Sequence, residues 1–298
     1  MKAGAGTLLA VLLMAGCQGP ATAQRAPTPS PTATAAAPSP SPQPPALASP
    51  LPPAHVFLIV MENRSYEEVM GQPFTATLAS EYALATDYHA IGHPSLPNYL
   101  ALSSGSTWGI GDDGYHPIAG RGLGDELTAA GVSWRAYEEG MTRGCFESPS
   151  PYVLHHNPFA YYGGGCPDNV VNATRLDADL AGGTARFNWI QPDVCHSTHS
   201  CPIEDGDRWL AGVVPRITAS KAWQEGGVLF ITWDEDDGSG SNQVATLVVS
   251  PGLAGHQSTR PYDHYSLLAT IEDLLGVARL GRSAAAQPMS ELIARMPS

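Results

Sequence analysis

Basic side chains are scarce in this chain. Lys and Arg number 15 against 28 Asp and Glu, which gives a formal net charge of -13 over 298 residues. A field of this sign repels nucleic acid and anionic lipid head groups at long range, so we expect no nucleic-acid partner. It does not exclude a small phosphorylated substrate, because a bound cation can reverse the potential locally.

Several metal-binding and membrane patterns are also missing. No Cys-x-x-Cys occurs, and no His-x-x-x-His pair falls on a predicted helix, so neither a thiolate zinc site nor a zincin helix is indicated. The apolar run Leu8–Met14 is too short to cross a bilayer. No internal repeat is present. A length of 298 residues allows one large domain or two small ones.

The N-terminus does contain an export signal. A basic residue precedes the run Leu8–Met14, and two small residues then lead to Cys17. Residues 1–17 resemble a bacterial lipoprotein signal peptide that ends at a lipidated Cys17, and the alternative is an ordinary secretory signal. Both place the protein outside the cytoplasm, as an outward-facing membrane lipoprotein or as a secreted protein. Membrane contact is expected only through the anchor at Cys17.

Residues 18–53 have the composition of a linker. They consist mainly of Pro, Ala, Ser and Thr, with one charged residue, Arg25. Such a stretch cannot bury a core and is predicted to be a disordered, semi-extended tether. The globular domain is therefore expected to cover residues 54–298.

The cysteines fit an exported protein. If Cys17 carries lipid, four cysteines remain, and four allow three connectivities. Cys195 and Cys201 are close in sequence, and Cys145 and Cys166 bracket one loop. We therefore expect these two local pairs to form disulfides, as the oxidising compartment permits.

Continuous apolar runs alternate with helical stretches along the domain. The predicted strands are Val56–Val60, Val228–Trp233, Val244–Val249 and, more weakly, Ser133–Tyr137 and Phe187–Ile190. The predicted helices are Pro73–Tyr82, Leu96–Leu102, Gly124–Ala130, Asp207–Gln224 and Tyr265–Leu275. Unbroken apolar strands are typical of a parallel sheet covered on both faces, so the pattern predicts an α/β sandwich. The stretch from Tyr137 to Asn172 has no clear period and is predicted to be a long functional loop.

Two acidic clusters directly follow predicted strands. Glu62 and Asn63 come after the first strand, and Asp234 to Asp237 come after the second. Ligands of open α/β sheets bind at the carboxyl ends of strands. Two carboxylate clusters at one sheet edge repel each other unless a cation lies between them. A metal site is therefore the favoured interpretation, and a pair of solvated acidic turns is the alternative.

Ser95 lies where a loop runs into a predicted helix. Pro97 is tolerated only in a first helical turn, which places Ser95 at or near the N-cap. A plain helix cap is one interpretation. The other is a nucleophile whose alkoxide is favoured by the helix dipole and a bound cation. The residues alone leave both open.

Histidines are frequent in loop-like or element-terminal positions. They are His89, His93, His116, His155, His156, His196, His199, His256 and His264. A lone histidine is more often structural than catalytic, but nine of them beside two acidic clusters favour some as ligands or proton donors.

Six segments in order resemble the bacterial phosphoesterase family, which contains acid phosphatases and the phospholipase C enzymes that lack zinc. They are Val60–Tyr66, His93–Tyr99, His156–Phe159, Cys195–Cys201, Thr232–Glu235 and Tyr262–Ser266. The second segment is similar to the nucleophile segment of the short acid-phosphatase branch. The resemblance covers about residues 55 to 277.

The resemblance implies a three-layer α/β/α sandwich with a mostly parallel central sheet, as in alkaline phosphatase. It implies a divalent metal ion held by Glu62, Asn63, Ser95, Asp234 and Glu235, with Ser95 as the nucleophile. Phosphatases that act on phosphoinositides are among the members of the short branch.

The resemblance departs from the family pattern at one place. More distant nucleotide pyrophosphatases carry a phosphoryl-binding Asn near the position where this chain has Asp112 and Asp113. An ionised carboxylate cannot donate a hydrogen bond, so His156 and His264 are the expected substitutes. The expected proton donor is His264, followed by His199 or His93. The stretch from Asp193 to His199 could host a second metal ion.

The sequence thus predicts an exported, metal-dependent phosphomonoesterase that forms a phosphoserine at Ser95. One alternative is a phosphodiesterase of the phospholipase C kind, which differs in whether the pocket admits a second ester group. A second alternative is a non-enzymatic surface lipoprotein that binds a cation or a phosphorylated glycan. Metal identity, the natural substrate and the oligomeric state do not follow from the sequence.

Overall fold

A computed structural model describes residues 55–251 and 253–293 of the chain. The predicted signal peptide with Cys17 and the predicted tether lie outside the described residues. Two sheets and eight α-helices make up the described part.

The main sheet has eight strands in the order β5-β4-β6-β1-β7-β8-β2-β9. All neighbouring pairs are parallel except β7 with β8 and β8 with β2. A second sheet pairs β3 with β10 in parallel. The strands are β1 (His55–Met61), β2 (Ala83–Ala85), β3 (Tyr88–His89), β4 (Trp134–Glu138), β5 (Val170–Asn172), β6 (Phe187–Gln191), β7 (Gly227–Trp233), β8 (Thr246–Val249), β9 (Gln257–Ser258) and β10 (Tyr262–Asp263).

The helices fall into two groups by their contacts. They are α1 (Tyr66–Met70), α2 (Pro73–Glu81), α3 (Ser95–Ser104), α4 (Leu123–Ala129), α5 (Leu176–Ala181), α6 (Ile203–Thr218), α7 (Lys221–Gln224) and α8 (His264–Leu275). Helix α3 packs against α4 and α8, whereas α6 packs against α2, α5 and α7. The expected α/β sandwich with a mostly parallel central sheet is confirmed.

The centre of the sheet is apolar on both faces. Every residue of β7 is buried, and so is every residue of β1 except the first. Unbroken burial explains why both strands read as continuous rather than alternating apolar runs. The weaker strand predictions are also correct: β6 pairs with β1, and β4 pairs with β6.

One helix and one strand differ most from the expectation, and the other predicted elements agree to within two residues. The predicted helix over 207–224 is two helices: α6 begins four residues earlier, at Ile203, and α7 begins anew because Ser220 caps the N–H of Trp223. The predicted strand over 244–249 begins two residues later, at Thr246. The expected loop from Tyr137 to Asn172 contains 3₁₀ turns and ends in β5.

Both expected disulfides are present. Cys145 bonds Cys166 across the long loop, and Cys195 bonds Cys201 across a separation of six residues. Among the described helices, none is long and apolar enough to cross a membrane.

The sheet brings several polar residues to one edge. Glu62 follows β1, Asp234 follows β7, Glu138 ends β4, and Gln191 ends β6. These four strands are parallel neighbours, so their carboxyl ends lie side by side.

Candidate active site

Three buried carboxylates meet at the ends of β1 and β7. Glu62 directly follows β1, Asp234 and Glu235 directly follow β7, and at most 3% of each residue is exposed. The N–H of Asp234 donates to the carbonyl oxygen of Met61 at 2.9 Å, which ties the two strand ends together. The sequence prediction that these clusters share one sheet edge is therefore met in the fold.

Ser95 is the first residue of α3 and is buried among these carboxylates. Its Oγ lies 3.3 Å from Glu62 Oε2 and 3.4 Å from Glu235 Oε1, and its single proton can serve only one of them at a time. The N-cap residue is Pro94, and no side chain makes a capping hydrogen bond there. The Ser95 side chain therefore faces the acidic cluster rather than capping the helix.

Asn63 links the two acidic clusters. Its backbone N–H donates to Asp234 Oδ1 at 3.1 Å, and its side-chain Nδ2 donates to Glu235 Oε1 at 2.9 Å. Its φ is +49°, in the left-handed region that Asn tolerates better than most residues. The amide oxygen of Asn63 is left without a hydrogen-bond partner in the described part of the chain.

Two residues of α3 that are absent from the predicted site complete the acidic cluster. The Tyr99 hydroxyl donates to Glu62 Oε1, and Asn98 Nδ2 donates to Glu235 Oε2 at 3.3 Å. Both side chains are fully buried. Positions three and four residues after Ser95 share its helix face, and that spacing was the available signal.

His156 and His199 stand beside Glu62. His156 is buried, and its Nε2 lies 3.2 Å from Glu62 Oε1, although the orientation makes no hydrogen bond. The His199 ring lies 5.7 Å from the His156 ring and is exposed. Burial lowers the pKa of His156 well below its usual range, and partial burial also lowers that of His199. The structure thus brings together three of the predicted site residues.

His264 is placed differently from a proton donor. It is fully buried, its Nε2 contacts the carbonyl oxygen of Asp234 at 2.6 Å, and its Nδ1 lies 2.9 Å from the Tyr88 hydroxyl. A carbonyl only accepts, so Nε2 donates and Nδ1 accepts from Tyr88. Burial lowers the pKa of His264 to about 4. Both nitrogens are therefore occupied in holding the β7 end.

His93 lies between two carboxylates at the rim. Its Nδ1 is 2.9 Å from Glu235 Oε2, and its Nε2 is 3.2 Å from Asp236 Oδ1. The ring is 44% exposed. His93 is therefore suited to orient Glu235.

Asp113 also belongs to this end of the sheet. Its Oδ1 accepts the N–H of Leu96 at 2.9 Å, in the first turn of α3. Asp112 instead pairs with His116 at 2.6 Å. In the sequence, Asp112 and Asp113 stand out only as a departure from relatives, whereas in the structure Asp113 lies at the same helix end as Ser95.

The electrostatics of the cluster favour a bound cation. Burial raises the pKa of Glu62 well above its usual range, and the charges of Asp234 and Glu235 raise it further. Burial followed by the charge of Glu235 does the same to Asp234. Buried like charges of this kind are stabilised by a metal ion between them.

The polar atoms left over fit such an ion. Asp234 Oδ2 and Asn63 Oδ1 are buried and lack a hydrogen-bond partner among the described residues. Both are oxygen ligands of the type that divalent cations such as Mg²⁺, Ca²⁺ or Mn²⁺ prefer. Both atoms belong to residues of the predicted ligand set.

Two further groups bear on the predicted second metal ion. Ligand atoms of Glu62, His156 and His199 lie within 4.8 Å of one another, and so do those of Glu139, Asp193 and His196. The second group is partly satisfied internally, since His196 Nδ1 lies 3.0 Å from Glu139 Oε2 and Asp193 Oδ1 accepts two backbone N–H groups.

The fold is similar to that of proteins in the alkaline-phosphatase superfamily. A protein of that superfamily from Vibrio parahaemolyticus aligns with a TM-score of 0.59 and 13% identity over 80% of this chain and 72% of its own. Murine ectonucleotide pyrophosphatase/phosphodiesterase 5 aligns with a TM-score of 0.54 and 10% identity over 76% of this chain and 96% of its own. At these identities the likeness shows the fold.

The sequence comparisons give the family. The profile of the Phosphoesterase family matches residues 72–278. A phosphatidylinositol-3-phosphatase of Mycobacterium tuberculosis is 30% identical over 82% of this chain and 85% of its own length. The chain belongs to the phosphoesterase family and is a hydrolase of phosphoric esters.

Fungal relatives are more distant and longer. A probable acid phosphatase of Kluyveromyces lactis is 27% identical over 80% of this chain and 62% of its own length. An acid phosphatase of Aspergillus fumigatus is 26% identical over 80% of this chain and 58% of its own. The chain thus spans about three fifths of these fungal proteins.

Proposed function

We propose that the protein is an exported, metal-dependent phosphomonoesterase in which Ser95 is the nucleophile. The observation that carries the proposal is the position of Ser95 Oγ, which is buried between Glu62 and Glu235 at the first turn of α3. The start of a helix does not require a serine that is buried beside three carboxylates, whereas a metal-bound nucleophile does. Membership in the phosphoesterase family favours an enzyme over the alternative of a non-enzymatic binding protein.

The metal ion would be held by Glu62, Asn63, Asp234, Glu235 and Ser95. The unpartnered oxygens of Asn63 and Asp234 support this ligand set. When bound, a divalent cation supplies Lewis-acid polarisation of the phosphoryl group and neutralises its charge.

The chain's own residues would then perform the transfer. Ser95 Oγ attacks phosphorus, the ester P–O bond breaks, and a phosphoserine forms. The Ser95 proton has an acceptor in Glu62 Oε2, 3.3 Å away. The dipole of α3 favours negative charge at Ser95.

The departing alkoxide needs a proton, and His199 is the best-placed donor. It is exposed and close to Glu62 and His156, whereas both nitrogens of His264 are already bonded. After the alcohol leaves, the neutral His199 can accept a proton from the water that hydrolyses the phosphoserine. We assign His264 and His93 to holding Asp234 and Glu235.

Monoesters are the proposed substrates, and phosphoinositides are one class to test. The relative from Mycobacterium tuberculosis is named for a phosphatidylinositol phosphomonoester. The phosphodiesterase alternative is an outcome of the same test, because a diester carries a second ester group on phosphorus.

Export is proposed from the N-terminal signal, with a lipid anchor at Cys17. The two disulfides of the domain support an oxidising compartment.

The test compares p-nitrophenyl phosphate, bis(p-nitrophenyl) phosphate and a phosphatidylinositol monophosphate as substrates. Chelated protein, Mn²⁺-reloaded protein and Ser95→Ala are run side by side. The proposal expects monoester turnover that disappears on chelation and returns with Mn²⁺. Faster turnover of the diester, or full activity after chelation, would overturn it.

A further inference from the structure

A disulfide-closed loop is bonded directly to the backbone of the proposed metal ligand Glu62. The 195–201 loop runs from Cys195 to Cys201, which are joined by a disulfide. The N–H of Glu62 donates to Ser197 O at 2.8 Å, and Thr198 Oγ1 donates to Glu62 O at 2.6 Å. Both backbone groups of Glu62 are therefore held by this loop.

The strand pairing of the sheet does not reach the backbone of Glu62. The ladder of β1 with β7 ends at Met61, so Glu62 is the first residue beyond the strand pairing. Asp234 binds the neighbouring residues Met61 and Asn63, whereas the N–H and the carbonyl oxygen of Glu62 itself bind the 195–201 loop.

The side chain of Arg64 also donates hydrogen bonds to the 195–201 loop. Its Nη2 donates to Thr198 O at 2.9 Å and to Cys201 O at 3.1 Å. Arg64 lies two residues after Glu62, so four hydrogen bonds join the loop to the segment that carries the ligand.

The loop is held in a demanding conformation. Thr198 is buried and has a φ of +80°, in the left-handed region that costs a β-branched residue free energy. The next residue is His199, whose ring faces His156. The conformation of Thr198 therefore decides where His199 points.

Helix α6 packs closely against the 195–201 loop at Gly206. A Cβ on Gly206 would lie 2.2 Å from Thr198 Cγ2 and 3.0 Å from His196 O. No side chain fits between the helix and the loop at this point.

We propose that the Cys195–Cys201 disulfide and Arg64 are positioning elements of the catalytic site. They hold Glu62 for the metal ion and His199 for proton transfer, so opening the loop weakens metal binding and turnover while the sheet stays folded. The inference rests on the proposed function.

The first test opens the loop. Cys195→Ser/Cys201→Ser is compared with Cys145→Ser/Cys166→Ser, which also loses one bridge. Hydrogen exchange at the Glu62 amide should accelerate at least about tenfold in the first variant alone, because its acceptor, Ser197 O, is freed. Mn²⁺ affinity, followed by electron paramagnetic resonance, should fall by about 10–100-fold, as for the loss of supports behind metal ligands.

The second test keeps the disulfide and moves the loop. Gly206→Ala places a methyl group against Thr198, whereas Gly212→Ala on the same helix meets open space. Only Gly206→Ala should weaken Mn²⁺ binding and lower kcat for p-nitrophenyl phosphate, with a smaller change in KM. Arg64→Lys should restore part of what Arg64→Ala loses.

The outcomes separate this inference from the proposed function. Wild-type protein that neither binds Mn²⁺ nor hydrolyses the monoester contradicts the proposed function. If wild-type protein does both, and the open-loop and Gly206→Ala variants match their controls in amide exchange, Mn²⁺ affinity and kcat, the positioning role is refuted.

Discussion

Replacing Glu62 with Gln should stabilise the metal-free protein and remove most of its response to a divalent cation. Glu62 is fully buried, and burial together with the charges of Asp234 and Glu235 raises its pKa. Gln keeps the shape and can still accept from Tyr99, but it carries no charge. The variant therefore relieves an unfavourable buried charge in the absence of metal and deletes a ligand in its presence.

The size of the expected change in stability follows from the burial of Glu62 and from the size of the domain. Neutralising one poorly compensated buried carboxylate should add about 1–2 kcal/mol to the free energy of unfolding, which is roughly 2–8 °C in Tm for a domain of this size. Mn²⁺ at about 100 times its Kd should add about 2.7 kcal/mol to wild-type protein. The Glu62→Gln variant should show little of this second rise.

Glu138→Gln is the matched control. Glu138 is also fully buried, both of its carboxylate oxygens lack partners among the described residues, and burial raises its pKa. This variant should keep the full response to Mn²⁺. Differential scanning calorimetry with and without Mn²⁺ makes the measurement. A Glu62→Gln protein that is less stable without metal, yet gains as much from Mn²⁺ as wild type, would refute the reasoning.

Three further predictions concern single side chains. His199→Gln should slow hydrolysis of an alkyl phosphate by about 10²–10⁴-fold but affect p-nitrophenyl phosphate much less, because a good leaving group needs no proton donor; equal losses in steady-state kinetics would contradict this. His264 has a pKa lowered from 6.5 to about 4, so its contribution to stability is full above pH 6.5 and is lost as pH falls towards 4. In urea titrations His264→Gln should therefore lose about 3 kcal/mol less stability than wild type over that range, and parallel pH profiles would count against it. Cys17→Ala should move the protein from the membrane fraction to the medium, and lipid-free wild-type protein by mass spectrometry would exclude the anchor.

Much of the fold could be predicted because its strongest determinants are local. The strands β1 and β7 are buried on both faces, so each appears in the sequence as a continuous apolar run. The boundary between α6 and α7 was missed because a single capping serine, Ser220, interrupts an otherwise helical pattern.

The site was predictable only where residues adjoin strand ends or repeat a family motif. Glu62, Asp234 and Ser95 could be placed in this way. Tyr99 shares the helix face of Ser95, but its bond to Glu62 joins residues that only folding brings together, and the same holds for the bond of Arg64 to Thr198. His264 was predicted as the first proton donor, but its neighbours Tyr88 and the Asp234 carbonyl lie far away in sequence and occupy both nitrogens.

The most direct test of the account is whether phosphate becomes attached to Ser95 during turnover. Wild-type protein is mixed with a phosphomonoester, quenched in acid within the first turnovers, digested and mapped by mass spectrometry, with Ser95→Ala as the control. The account predicts phosphoserine on the peptide that carries Ser95. It also predicts a Ser95→Ala protein that keeps its fold, since this side chain makes no capping bond, but loses nearly all turnover. Near wild-type turnover in Ser95→Ala, with no phosphopeptide in the wild type, would contradict the proposed mechanism.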